Sequence, residues 1–147
     1  MTALISKPLP PPIYPRVVIV PGNGCTPVRQ CNWYGWLSDE LERRGFGDVV
    51  LRDMPDPYVA RRSKWLPFLK PLCDETTVLV GHSSGAEAGL RLAEEVKLGG
   101  LVLVSACVTD LGDANERASG YYPPSGGPWR FGAMMNAHGS QANDSVP

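Results

Sequence analysis

One serine in this chain has neighbours whose types and spacing suit covalent chemistry. It is Ser83, at the centre of the Gly-x-Ser-x-Gly motif Gly81-His82-Ser83-Ser84-Gly85, which follows an apolar run and precedes an alanine-rich helical pattern. A strand that turns tightly into a helix at such a motif forms a nucleophile elbow, with the serine hydroxyl exposed above the sheet. Both glycines are required because a Cβ atom at either position would collide where strand and helix cross. The motif predicts Ser83 as the nucleophile of an acyl-transfer reaction.

The backbone near the motif also indicates where an oxyanion would be stabilised. The N–H of Ser84 comes directly after the nucleophile at the start of a helix, where backbone donors and the helix dipole favour negative charge. A second N–H is expected from the loop after the first strand, and Asn23 and Gly24 are the candidates. The glycines of this loop do not indicate nucleotide binding, because neither a complete dinucleotide fingerprint nor a phosphate loop follows.

The elements that must position these groups alternate between strands and helices. Short apolar runs predict strands, and amphipathic stretches predict the helices between them. This alternation predicts an α/β protein, a three-layer α/β/α sandwich with a parallel sheet, whose sites lie at the carboxyl ends of the strands. The strands are expected at residues 16–20, 48–51, 77–80 and 101–104, and the helices at 33–41, 59–69 and 86–95, with Pro67 bending or interrupting the second helix.

Composition narrows the range of partners. The chain has 147 residues, 43% of them hydrophobic, and 14 basic and 15 acidic residues give a net charge of −1. This balance excludes the electrostatic footprint of nucleic-acid or anionic-membrane binding and favours a small-molecule substrate. The four cysteines lack Cys-x-x-Cys pairs and neighbouring histidines, so no metal site or disulfide framework is expected. Without a signal-peptide pattern or a membrane-spanning run, we expect a cytoplasmic protein.

One folded core is expected, at residues 16–122. It follows a proline-rich leader at residues 1–15 and precedes a divergent tail at residues 123–147, which has little apolar periodicity and is expected to be disordered. A core that stops after four strands would leave the fourth strand at a sheet edge. Because that strand carries no charged residue, we expect self-association through it unless the tail covers it.

Several motifs occur in unbroken order within the core and carry a family resemblance. They are Val18-Ile19-Val20-Pro21-Gly22-Asn23-Gly24, Trp33-Tyr34-Gly35-Trp36, Met54-Pro55-Asp56-Pro57, Trp65-Leu66-Pro67-Phe68, Gly81-His82-Ser83-Ser84-Gly85 and Asp110-Leu111-Gly112-Asp113. Together they resemble the retinoblastoma-binding protein 9 family, small serine hydrolases of the α/β-hydrolase superfamily. The resemblance implies that Ser83 is the nucleophile and that an ester or amide is hydrolysed through an acyl-enzyme, with no metal or organic cofactor.

The resemblance also implies an acid and a histidine beyond the fourth strand, in the chain order Ser, Asp, His. Residues 139–144 loosely resemble the acid-bearing segment of the family, which makes Asp144 the expected acid. The chain contains only His82 and His138, and His138 precedes Asp144. His82 is adjacent to the nucleophile at a sharp turn, where neighbouring side chains point apart, so we expect it to support the loop.

Three interpretations stay open. The first is a serine hydrolase whose activity is impaired because the family histidine is missing. The second is a noncatalytic interaction module that keeps the elbow and an exposed sheet edge. The third is an active hydrolase in which His138 serves as base with Asp110 or Asp113 as acid.

The family is also known for binding the retinoblastoma protein through a Leu-x-Cys-x-Glu motif. The corresponding stretch here is Leu72-Cys73-Asp74-Glu75, in which the leucine lies one position too late. Such motifs bind as extended segments whose side chains enter fixed pockets. The shift puts the retinoblastoma protein in doubt as a partner.

Overall fold

The computed structural model describes residues 14–123, and these form one parallel sheet with helices on both faces. The strands are β1 (Val17–Val20), β2 (Val49–Leu51), β3 (Val78–His82) and β4 (Gly100–Val104), and the helices are α1 (Tyr34–Arg43), α2 (Arg62–Leu69), α3 (Ser84–Leu92) and α4 (Ala114–Ser119). The strand order is β2-β1-β3-β4, and every neighbouring pair is parallel. The predicted α/β architecture is confirmed.

Strand β1 shows why the sheet has two covered faces. All four of its residues are buried, and successive side chains of a strand point to opposite faces. Val18 belongs to the same buried cluster as Trp65 of α2 and Leu92 of α3. Ile19 belongs to a second cluster that includes Tyr34 of α1. A continuous apolar run therefore forms the middle layer of a sandwich.

Strand β4 lies at an edge of the sheet formed by the described residues. Val102 is 47% exposed and Leu103 is 38% exposed, which is high for aliphatic residues in a strand. An apolar edge without a charged side chain offers unpaired backbone groups to another strand. The sequence predicted this edge position for the fourth strand.

Two helix boundaries differ from the sequence prediction because of local backbone geometry. Helix α2 begins at Arg62 rather than at residue 59, since Ala60 has a positive φ of 57° that is incompatible with a helix. Pro67 lies inside α2 without ending it. Helix α3 begins at Ser84, two residues before the predicted start, and ends at Leu92.

Helix α4 was not predicted, although its sequence carries signals at both ends. The Asp113 carboxylate accepts hydrogen bonds from the N–H groups of Asn115 at 2.8 Å and Glu116 at 3.0 Å, which is an N-cap. Gly120, with a φ of 79°, ends the helix in the left-handed conformation. The helix has only six residues, too few for a hydrophobic period to be visible in the sequence.

A pair of carboxyl groups lies between α3 and α4. Glu87 is only 3% exposed, and this burial raises its pKa to about 7. A hydrogen bond with Tyr122 lowers the pKa, and the nearby charge of Glu116 raises it. Burial also raises the pKa of Glu116. Within the described part of the chain, one oxygen of each carboxyl group has no hydrogen-bond partner. A buried acid in this setting favours its neutral form.

We expect Glu87→Gln to reduce the pH dependence of stability. The folded protein retains a proton on Glu87 that the unfolded chain releases near pH 4.5. The stability that Glu87 contributes is therefore fully present below pH 4.5 and is lost as pH rises through about 7. Glutamine cannot ionise, so the free energy of unfolding should fall less for the variant between about pH 5 and pH 8. Urea titrations at the two pH values measure the difference.

Glu75→Gln is the matched control, because Glu75 is exposed and pairs only with the exposed Lys97. Its pH dependence should equal that of the unmodified protein. Equal pH dependence for Glu87→Gln and the unmodified protein would contradict the assignment.

Candidate active site

Ser83 occupies a sharp turn between strand and helix. Strand β3 ends at the residue before it and helix α3 begins at the residue after it. Its φ of 51° and ψ of −123° are values that a residue with a side chain rarely adopts, and such strain is characteristic of functional sites. The Ser83 N–H donates to the carbonyl oxygen of Val104 at 3.0 Å, and its carbonyl accepts from the Ala86 N–H at 2.8 Å. These bonds hold the predicted elbow geometry.

The two glycines of the motif are required by close backbone approach. A Cβ atom on Gly81 would lie 2.4 Å from the carbonyl oxygen of Gly85. A Cβ atom on Gly85 would lie 2.3 Å from the carbonyl oxygen of Val20 and 2.5 Å from that of Pro21. Since real Cβ atoms do not approach backbone oxygens so closely, any larger residue would push β1, β3 and α3 apart.

The loop after β1 lies close to Ser83. A Cβ atom on Gly22 would be 3.3 Å from the Cβ atom of Ser83. The Gly22 N–H donates to the Tyr34 hydroxyl at 2.9 Å, and the Gly24 N–H donates to the Pro57 carbonyl at 2.7 Å. The N–H of Asn23, between them, has no acceptor among residues 14–123. Of the two predicted loop donors, Gly24 is therefore occupied and Asn23 is open.

The other predicted donor is open as well. Among the described residues the N–H of Ser84 has no hydrogen-bond acceptor, although Ser84 itself is buried. It lies at the first position of α3, where the dipole of the helix is positive. Both predicted donors therefore belong to segments that contact Ser83 and have N–H groups available to a ligand.

His82 supports the loop, as the sequence predicted. It alternates along β3 with Leu79 and Gly81, so its side chain points toward the α1 face of the sheet. There its Nδ1 lies 2.6 Å from the hydroxyl of Tyr34, and the ring of Trp33 meets it edge to face with centroids 5.7 Å apart. Burial raises the pKa of the Tyr34 phenol, so the hydroxyl stays neutral.

Sequence analysis missed the role of Tyr34. This buried side chain joins the loop after β1 to His82, beside Ser83, through the contacts of its hydroxyl with the Gly22 N–H and with Nδ1 of His82. Asn32 Nδ2 at 3.5 Å and Cys25 Sγ at 3.8 Å also donate to this hydroxyl. Tyr34 and His82 are 48 residues apart, and no local pattern pairs them. The motif Trp33-Tyr34-Gly35-Trp36, one of those that carry the family resemblance, contains Tyr34 but does not indicate its partners.

The carboxylates near the carboxyl end of β4 have structural partners. Asp113 caps helix α4. Asp110 accepts a hydrogen bond from the Gly112 N–H at 3.1 Å and forms an ion pair with Arg117 at 3.4 Å. These contacts account for both carboxylates without a histidine.

Asp144, the expected acid, and His138, the base of the third interpretation, lie outside the described residues. Asp56, between two prolines, accepts from the backbone N–H and the guanidinium of Arg61 at 3.2 and 2.9 Å. These contacts order the loop between β2 and α2.

Residues 14–123 contain no cluster of three or more His, Cys, Asp or Glu side chains arranged for a metal ion. In the same part of the chain, no helix has the length and apolar character needed to cross a membrane.

Comparison with known proteins identifies relatives that match more than half of the chain. The chain is 48% identical to the serine hydrolase RBBP9 of Rattus norvegicus over 118 residues, which are 79% of this chain and 62% of that protein. It is 36% identical to YdeN of Bacillus subtilis (strain 168) over 87 residues, 54% of this chain and 45% of that protein. No protein-family model matches the chain.

Solved structures show the same fold. The ydeN gene product from B. subtilis aligns with a TM-score of 0.55 and 32% identity, covering 64% of this chain and 53% of its own. PytH_H230A aligns with a TM-score of 0.51 at 20% identity, covering 71% of this chain and 45% of its own, and supports the fold alone.

The sheet, the elbow and these likenesses define an α/β-hydrolase fold. The similarity to the serine hydrolase RBBP9 is the one that the motifs predicted. The matched region is less than two thirds of the length of each of these curated relatives.

Gly85→Ala should destabilise the protein severely. The added methyl would lie 2.3 Å from a backbone oxygen that cannot move without displacing β1, and overpacking of this kind costs about 2 kcal/mol or more. Gly47→Ala is the control, because a Cβ atom there meets nothing within 4 Å. Denaturant unfolding of both variants measures the effect. A Gly85→Ala variant as stable as Gly47→Ala would contradict the close approach.

Proposed function

We propose that this chain is a serine hydrolase that cleaves an ester or amide of a small molecule through an acyl-enzyme on Ser83. The strained backbone of Ser83 at the elbow carries the proposal, because this conformation raises the hydroxyl above the end of the sheet. Attack of the hydroxyl oxygen on a carbonyl carbon forms a tetrahedral intermediate, and its collapse releases the alcohol or amine. Water then hydrolyses the acyl-enzyme.

The N–H groups of Asn23 and Ser84 form the proposed oxyanion hole. Both are without an acceptor in the described structure, while the neighbouring N–H groups of Gly22 and Gly24 are already bonded. Donors that are fixed before the reaction stabilise the developing charge without reorganisation, and one such donor contributes about 10²–10³ in kcat. This part of the site would act whichever base serves Ser83.

We propose Asp144 as the acid and an impaired activity for the 147-residue chain, whose two histidines, His82 and His138, both precede Asp144. The serine hydroxyl is a weak nucleophile without a base, and loss of a triad member typically costs about 10⁴-fold in kcat. The contacts of Asp110 with Arg117 and of Asp113 with its helix weigh against a triad through His138. The proposed site requires no metal or organic cofactor, and the cytoplasm is the proposed location.

Labelling with a fluorophosphonate tests the proposal. We expect slow covalent labelling of the 147-residue chain at Ser83, found by peptide mass spectrometry and absent from Ser83→Ala. Ser84→Ala is the matched control, since Ser84 contributes its backbone N–H and should keep its labelling. Unlabelled protein that unfolds cooperatively would contradict the proposal, and loss of labelling in His138→Ala would replace the impaired site with the His138 triad.

A noncatalytic interaction module is the second candidate function, favoured by the apolar edge of β4. Val102 and Leu103 are exposed there, and a second copy of the chain could add a strand to this edge. The retinoblastoma protein is a less suitable partner, because Cys73 of the altered motif is only 8% exposed and belongs to the buried core cluster.

Val102→Lys should reduce any self-association through β4. A lysine on an edge strand opposes pairing with another chain because its charge would have to be desolvated. Leu111→Lys is the control, since Leu111 is also exposed but lies outside the strand. Sedimentation velocity over a concentration series measures the effect. Equal association of the two variants, or a monomeric unmodified chain, would contradict the edge model.

A further inference from the structure

We propose that Tyr34 is a positioning residue that sets the oxyanion-hole loop against the nucleophile elbow; this inference rests on the proposed function of the loop. Its hydroxyl accepts from the Gly22 N–H at 2.9 Å and lies 2.6 Å from Nδ1 of His82. One buried oxygen thus joins the loop after β1, the start of α1 and the last residue of β3.

The hydrogen-bond capacity of a phenol fixes the direction of these bonds. The hydroxyl has one proton to donate and lone pairs that accept. The Gly22 N–H at 2.9 Å and the Asn32 amide nitrogen at 3.5 Å can only donate, so they occupy the two lone pairs of the hydroxyl. The contact with His82 is then formed by the phenolic proton, which is donated to Nδ1. An Nδ1 that accepts this bond leaves the ring proton of His82 on Nε2.

The loop needs this anchor because of its glycines. Gly22 and Gly24 leave the Asn23 peptide free to rotate about its neighbours. Tyr34 holds the N–H before it, and the Pro57 carbonyl holds the N–H after it. With both neighbouring N–H groups bonded, the Asn23 peptide is held in one orientation, in a loop where a Cβ atom on Gly22 would lie 3.3 Å from the Ser83 Cβ atom.

Tyr34→Phe tests the inference because it removes the hydroxyl and keeps the ring that packs beside Trp33. The rate constant of fluorophosphonate labelling at Ser83 should fall about tenfold or more, as a misplaced oxyanion donor requires. Tyr14→Phe is the matched control, because the Tyr14 ring stacks on Phe46 near the surface and its labelling rate should be unchanged.

Nitrogen-15 NMR chemical shifts test the inference without depending on activity. In the unmodified chain, Nδ1 of His82 should have the shift of an unprotonated, hydrogen-bonded nitrogen, with the His138 signals assigned from His138→Gln. In Tyr34→Phe this resonance and the Gly22 and Asn23 amide resonances should move. An unchanged labelling rate, or unchanged resonances, would overturn the inference.

The two proposals fail differently. If the unmodified chain is not labelled at Ser83, the proposed function fails, and the nitrogen resonances alone decide whether Tyr34 positions the loop. If Tyr34→Phe does not fold, His82→Gln removes the same bridge from its other end. Slower labelling of that variant supports the inference, and an unchanged rate overturns it.

Discussion

Backbone contact at the crossing of β1, β3 and α3 is the constraint on which the site depends. At Gly81 and Gly85 the three elements are so close that a single methyl group would overlap a backbone atom. This contact leaves no room for a gradual transition from strand to helix, so Ser83 must take up the turn in one residue. The strain of its backbone is the consequence, and the parallel sheet on either side of β3 supplies the rigidity that maintains it.

The polar part of the site is built on the same contact. The loop after β1 passes close to Ser83, where a Cβ atom on Gly22 would lie 3.3 Å from the Ser83 Cβ atom. Its orientation is fixed by Tyr34 from α1 and by Pro57 from the segment after β2. Donors held in this way need no rearrangement when charge develops, which is how acyl-transfer sites obtain much of their rate enhancement. In the proposed mechanism, this arrangement of donors is independent of the base that serves Ser83.

Features that depend on residues close together in the chain could be predicted from the sequence, and contacts between distant residues could not. The elbow could be predicted because its motif occupies five consecutive residues. The strands could be predicted because buried parallel strands are continuous apolar runs. The partner of Tyr34 could not, since that hydrogen bond joins residues far apart in the chain. Choosing Asn23 over Gly24 also required the structure, because the Pro57 carbonyl that occupies Gly24 comes from another segment.

Two local features were not predicted, and only the first of them, the short helix α4, has a signal in the sequence. Asp113, Glu116 and Gly120 have the spacing of a short capped helix, and this signal was overlooked because Asp113 was considered only as a catalytic acid. The late start of α2 depends on the positive φ of Ala60, which alanine gives no reason to expect. The acid at Asp144 stays a prediction, since it lies outside the described residues.

The account is tested most directly by a crystal structure of the 147-residue chain phosphonylated at Ser83. It predicts a phosphoryl oxygen within hydrogen-bond distance of the N–H groups of both Asn23 and Ser84, with the Tyr34 hydroxyl still joining Gly22 to His82. A phosphoryl oxygen directed to solvent, or bound by the Gly24 N–H in place of Asn23, would contradict it.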